Sequence, residues 1–312
     1  MPALKALRDA NVEAGIEILA YPHIASIADR RFYAEAVRSI EYAALSRFFA
    51  RGAELPSQLR DYFAGFDLIL SYLYDPDGIF QENLRRCGAK NLLFGPAKIL
   101  PGRHASEQLA QPLQQLGINV TALEAKIFPS EEDRQIARRF LESCHSPVLA
   151  VHPGSGSERK NWPIESWIEL IRAALNGVAA VKNGSSQTAD RDRTEFLSRS
   201  LLFGTVLVIS GEADQTAMRR LQTSFAAEKR VRFAHQLPLP HLAAILSQCT
   251  FVGHDSGISH LAAAAGARST ILFGPTDPTV WAPRNNDVTA LQAPAGDLNQ
   301  LPVSVVLDTI TR

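Results

Sequence analysis

The sequence predicts an α/β fold made of parallel strand–helix units in two domains, and three observations predict it. Along the 312 residues, short apolar runs alternate with helical patterns, which is how a chain building a largely parallel sheet reads. Residues 251–284, FVGHDSGISHLAAAAGARSTILFGPTDPTVWAPR, hold a strand, a polar turn, a small-residue helix, a second strand and a second polar turn. Upstream, Val148-Leu149-Ala150-Val151 reads as a buried strand that runs directly into His152-Pro153-Gly154-Ser155-Gly156-Ser157-Glu158-Arg159-Lys160-Asn161-Trp162-Pro163. Length alone suggests about two domains.

Taken in order, strands are predicted over 16–20, 37–42, 67–71 and 91–94. Helices such as 55–63 and 79–87 separate them, and a further helix covers 104–116. Helix 131–145 delivers the chain to the second domain, with the boundary inside 128–146. The second domain opens at Val148, with strands over 148–151, 206–210, 231–233, 250–253 and 269–273 and helices over 164–175 and 259–265. The expected division is an N-terminal domain over 1–130, a linker helix over 131–147 and a C-terminal domain over 148–300. Helix 303–310, within a terminal segment 301–312, is expected to pack back across the domain junction. One stretch breaks the rhythm: 176–204 is long for a connection, and its 183–193 portion is polar and turn-rich. It reads as a surface excursion in preference to a substrate lid.

Composition narrows the function classes. Hydrophobic residues make up 46% and charged residues 21%, enough for two ordinary cores. Lys+Arg and Asp+Glu are 32 each, so no bulk field favours nucleic acid or an anionic membrane. There is no apolar run of about 18 residues, and the start, MPALKALRDA, lacks the apolar centre of a signal peptide. Cys87, Cys144 and Cys249 are far apart with no paired spacing, as expected of reduced core residues in a cytoplasmic protein. The eight histidines form no HxxxH or HExxH group and Asp75-Pro76-Asp77 is a turn signature, so no metal site is expected.

The chemistry concentrates in two loops. After strand 148–151, glycines permit close backbone approach to a phosphate, serines add hydroxyl donors and Lys160 offers a mobile positive charge. The loop is neither common phosphate motif: a dinucleotide fingerprint starting at Gly154 needs glycine where Arg159 stands, and a Walker loop needs glycine before Lys160. In the second block, Gly253-His254-Asp255-Ser256-Gly257 breaks the strand and caps the following helix. Its first N–H groups and positive dipole end favour an anion such as pyrophosphate. Trp162, Trp167 and Trp281 read as packing residues rather than stacking platforms.

These blocks resemble the heptosyltransferases of lipopolysaccharide synthesis, glycosyltransferase family 9. The matching residues are His152 to Ser157, Lys160, Trp162-Pro163, Asp255-Ser256-Gly257, His260-Leu261-Ala262-Ala263-Ala264 and Phe273 to Pro278. The resemblance implies a GT-B architecture, two Rossmann-like domains with parallel sheets facing a cleft, with a nucleotide-sugar donor held by the C-terminal domain. It implies inverting transfer of a sugar, a heptose from an ADP-linked donor, to a lipopolysaccharide-type saccharide acceptor. The nucleotide sugar is a co-substrate and no resident cofactor is implied. The implied donor contacts are Ser155, Gly156, Ser157, Lys160, Asp255, Ser256, Gly257 and His260, with Lys160 stabilising the leaving diphosphate. Gly211-Glu212-Ala213-Asp214-Gln215 resembles a family turn whose closing acid holds the ribose. Here Gln215 stands in that place, with Asp214 beside it. A cytoplasmic protein with at most peripheral contact at the inner membrane follows, and no nucleic-acid partner.

The N-terminus departs from the family pattern. Members open with an apolar strand and a Gly-Asp turn, the Asp serving as general base, before a helix that begins like Met1-Pro2-Ala3-Leu4-Lys5-Ala6-Leu7-Arg8. The expectation is that the first strand and the base are missing, so that donor binding and turnover separate. His23, Asp75 and Asp77 are the substitutes weighed, and surface turn residues are the simpler reading of each. Two functions stay open: a glycosyltransferase, or a non-catalytic nucleotide-sugar-binding relative. A GT-B epimerase or phosphorylase is disfavoured, because those families lack the paired blocks.

Overall fold

The computed structural model describes residues 1–176, 202–211 and 215–312. The chain divides into two compact units, Met1–Leu123 and Glu124–Arg312.

The first unit begins with helix α1 (Pro2–Ala10), which has proline in its first turn, where the missing N–H costs nothing. Then come β1 (Glu17–Ala20), α2 (Pro22–Ala25), β2 (Ala36–Ser39), α3 (Ser57–Ala64), β3 (Ile69–Ser71), α4 (Ile79–Arg86), β4 (Leu92–Phe94) and α5 (Ala105–Ala110). The helix expected over 104–116 is α only to Ala110 and continues as a 3₁₀ turn over Gln111–Leu116, where Pro112 interrupts the α pattern. All four strands pair in parallel, but as two separate two-stranded sheets, β1–β2 and β3–β4. Their residues are half-buried or exposed, none fully buried. The core lies beneath them: Leu45, Phe48, Leu55, Phe63, Phe80, Leu84 and Cys87, with Leu19, Ile69 and Leu92 packed against it.

The second unit opens with α6 (Glu131–Leu141), started by a reciprocal capping box in which Ser130 and Asp133 satisfy each other's backbone N–H. The helix expected as a linker packs on a helix of this unit, α9 below. There follow β5 (Val148–His152), α7 (Ile164–Asn176), β6 (Thr205–Ser210), α8 (Gln215–Ser224), β7 (Val231–His235), α9 (Leu239–Leu246), β8 (Thr250–His254), α10 (Gly257–Ala264), β9 (Arg268–Phe273), α11 (Pro278–Trp281), β10 (Val288–Gln292) and α12 (Val303–Thr311). The sequence reading leaves out β10, a strand of mostly exposed or half-buried residues at the sheet edge. Segment 176–204 and Asp214 fall largely or wholly outside the described residues.

The six strands are all parallel, in the order β10-β9-β8-β5-β6-β7. Every residue of β5 and β6 is buried, as a parallel sheet covered on both faces requires. Leu149, Val151, Val206, Val208, Val252 and Leu272 share one core with Trp167, Ile168, Ile171 and Leu175 of α7 and Val306, Leu307 and Ile310 of α12. The alternate residues Ala150, Leu207, Phe251, Ile271 and Phe273 are also buried and point to the other face. On that pattern α10 lies on β8 and β9. Each fully buried aliphatic side chain contributes about 1.5–3 kcal/mol. The C-terminal helix α12 packs on α7 and β9, inside this unit. Because β6 and β7 lie to one side of β5 and β8, β9 and β10 to the other, the strand order reverses between β5 and β8. In sheets of this kind the loops leaving those two carboxyl ends flank the usual ligand position.

Candidate functional site

Both sequence blocks issue from that reversal point. The loop after β5 carries Ser155 to Lys160, and the turn after β8 carries Asp255 to Gly257. Lys160 and Asp255, 95 positions apart in the chain, meet at 2.8 Å between Nζ and Oδ2. Asp255 is 8% exposed in its side chain and Lys160 30%. His260, 43% exposed on the first turns of α10, brings Nε2 to 3.8 Å from Asp255 Oδ1, an ion-pair rather than a hydrogen-bond distance. Burial pushes the Asp255 carboxyl up, but neighbouring His260, Lys160 and Thr276 outweigh it and hold the group at about 2. Asp255 is therefore an anion at neutral pH, with the Lys160 and His260 nitrogens at 2.8 and 3.8 Å from its two oxygens.

The helix start completes the site. Ser256 is the N-cap residue of α10, yet its side chain makes no capping hydrogen bond. Its hydroxyl lies 3.5 Å from His152 Nδ1 and 3.4 Å from Ser259 Oγ. The helix begins at Gly257, two residues earlier than sequence reading gives, so Asp255 and Ser256 immediately precede its first turn. Ser256 therefore supplies no capping oxygen to the first N–H groups at the positive end of the helix. A Cβ added to Gly257, or to Gly156 in the facing loop, would meet nothing within 4 Å. Gly253 is different: a Cβ there would come within 2.7 Å of Phe251 and 2.8 Å of Ser259 Oγ, because Ser259 donates back to the His254 carbonyl across this strand end.

Ser155 does not point outward as a free donor. Its Oγ lies 2.7 Å from both the Ser157 carbonyl and Asn161 Oδ1, and it accepts from the Ser157 N–H at 3.3 Å, which shapes the loop. Gly156 and Ser157 are exposed. Gln215 opens α8 just past β6, the strand beside β5. Trp162 and Trp167 are core residues, 2% and 0% exposed, packed edge-to-face at 5.3 Å. Trp281, 37% exposed, is not.

Two residues of the recognised blocks have surroundings that sequence reading does not give. Thr276, in the turn after β9, has a buried hydroxyl beside Asp255 that helps hold its carboxyl down. His254, read as a turn residue, closes β8 and is fully buried. Both stand inside recognised blocks, but their contacts come from strands distant in sequence and are not legible there. In the first unit, Asp75 accepts the Phe80 and Gln81 N–H groups at 3.1 and 2.9 Å and so caps α4. His23 is exposed on α2, its ring 5.9 Å from that of Tyr21, and Asp77 is exposed. Cys87 and Cys249 are buried free thiols, while Cys144 is only half-buried, because it follows the end of α6. Among the described residues, no group of three or more His, Cys, Asp or Glu side chains could hold a metal ion, and no helix is long and apolar enough to cross a membrane.

Residues 197–302 match the family described as glycosyltransferase family 9 (heptosyltransferase). Lipopolysaccharide heptosyltransferase 1 of Escherichia coli O18:K1:H7 is 24% identical over 182 residues, 57% of this chain and 47% of that protein. The chain spans about half the length of the curated relatives it matches. Among solved structures, E. coli ADP-heptose lipopolysaccharide heptosyltransferase II superposes with a TM-score of 0.72 at 14% identity, covering 99% of this chain and 92% of that one. E. coli heptosyltransferase WaaC with ADP gives 0.67 at 18% identity, covering 99% and 93%. These likenesses establish the α/β fold as that of the GT-B heptosyltransferases. Two motif blocks meet at the strand-order reversal of that shared fold, and the matched segment, which runs through the second of them, is similar to glycosyltransferase family 9, the heptosyltransferases.

Proposed function

We propose that the protein is a glycosyltransferase that takes a heptose from an ADP-linked donor and passes it, with inversion, to a lipopolysaccharide-type saccharide. The observation that carries the reading is the Lys160–Asp255 contact at 2.8 Å, which ties the Gly/Ser loop to the uncapped start of α10. One Lys160 proton is engaged by Asp255, leaving two for an anion. His260, the α10 N–H groups and the Thr276 hydroxyl converge on the same place.

In the reaction the acceptor hydroxyl oxygen attacks the anomeric carbon as the bond from that carbon to the diphosphate oxygen breaks. The electron pair stays on the β-phosphate and the hydroxyl proton passes to a base. Negative charge grows on the leaving diphosphate, so fixed positive groups there stabilise the transition state more than the ground state. Lys160 and the helix start supply that stabilisation, and Asp255 keeps Lys160 in place. The general base is not assigned. Asp75 is engaged as a helix cap, which removes it from the substitutes weighed. Such a protein works in the cytoplasm, with at most peripheral membrane contact at its lipid-linked acceptor.

The test is to incubate the protein with ADP-heptose and a lipopolysaccharide core saccharide, following ADP release and the anomeric configuration of the product. Inverted heptosylated product supports the reading. ADP binding without transfer would reduce it to a nucleotide-sugar-binding protein, and failure to bind ADP would refute it.

A further inference from the structure

We propose that His254 is a positioning residue that clamps the 154–162 loop and thereby holds Lys160 at the anion site; this rests on the reading of that loop as a diphosphate site. His254 is 0% exposed at the carboxyl end of β8, beside β5. Its Nε2 accepts the Trp162 backbone N–H at 2.7 Å, and its Nδ1 lies 3.3 Å from the Gly154 carbonyl oxygen. A carbonyl can only accept, so Nδ1 carries the proton and the ring is the neutral Nδ1–H tautomer. A single imidazole thus bonds the backbone at both ends of the loop.

The ring itself is held. Trp167 packs edge-on against it at 5.3 Å and 89°, and Trp162 packs edge-on against Trp167. Between the two anchored positions, Gly156 to Arg159 are exposed and Lys160 is half-buried. An exposed segment rich in glycine and serine pays an ordering cost when it binds a ligand, and fixing its ends in advance reduces that cost. The clamp also fixes where Lys160 leaves the backbone, within reach of Asp255 on the turn that His254 immediately precedes.

Amide hydrogen exchange on the full chain tests the clamp without ligand, comparing wild type, His254→Leu and His254→Gln. Leucine keeps the packing and removes both ring hydrogen bonds, whereas the glutamine amide oxygen can still accept from Trp162. In His254→Leu the Trp162 amide and the 155–161 amides should exchange at least ~10-fold faster, with β6 and β9 unchanged, and His254→Gln should recover most of the protection. Calorimetry should show ADP affinity reduced about tenfold in His254→Leu, the loss expected of one or two hydrogen bonds. In the wild type, ring ¹⁵N shifts should report Nδ1–H. Unchanged loop exchange, acceleration spread evenly over the sheet, or no recovery with glutamine would overturn the proposal. Should His254→Leu fail to fold, a protonated ring or an Nε2–H tautomer in the wild type would overturn it. Wild-type protein that binds no ADP would refute the diphosphate reading alone, and the exchange result would still decide the clamp.

Discussion

Asp255 keeps its charge in a nearly buried position because Lys160 reaches it at 2.8 Å with His260 close behind. Its pKa is held at about 2, below the ordinary 3.8, so the ionised form stabilises the fold above about pH 4 and that contribution is lost as pH falls toward 2. The shift corresponds to about 2–3 kcal/mol. Replacing Asp255 with Asn should therefore lower the urea-unfolding free energy most near neutral pH, and the gap from wild type should shrink between pH 4 and pH 2. A gap constant across that range would mean the pairing contributes nothing through charge. Asp255, Lys160 and His260 stand in the sequence as members of two recognisable blocks. Their mutual distance could not be read there, because it depends on β5 and β8 being neighbours while 95 positions separate the residues. His254 shows the limit more sharply: between glycine and aspartate it reads as a turn, and only burial against Trp167 and the loop after β5 reveals its use.

At the scale of elements, the strand-to-helix junction tolerates little. A Cβ at Gly253 would intrude on the fully buried Phe251 and on Ser259, so Gly253→Ala should cost about 1–3 kcal/mol in denaturant unfolding. A cost within a few tenths would show that the packing yields easily. The capping box of α6 makes a milder claim: Ser130→Ala should cost about 1 kcal/mol, measured the same way. Strands of the second unit are legible because they are continuous apolar runs, the mark of parallel strands buried on both faces. β10 is missed because an edge strand with exposed residues lacks that mark. In the first unit the strands are short and half-buried, and which of them pair, as two separate sheets, is not written in their local pattern. Pairing is a long-range choice that local pattern does not encode.

For the whole molecule, the proposed donor contacts within the described residues all lie in the unit Glu124–Arg312, which has its own sheet, core and helices. A fragment of residues 124–312 should unfold cooperatively and bind ADP within a few-fold of the full chain. Binding by the full chain but not by a folded fragment would show that the first unit contributes donor contacts. The central claim, that two loops at the strand-order reversal form a diphosphate site around Lys160 and Asp255, is tested most directly by calorimetric titration of ADP into wild type and Lys160→Ala. Wild type should bind. The variant should lose about 1.5–3 kcal/mol, on the order of 10- to 150-fold in affinity, the contribution of a hydrogen bond to a charged group, while still unfolding in one cooperative transition. Equal ADP affinity in the two proteins would contradict the account.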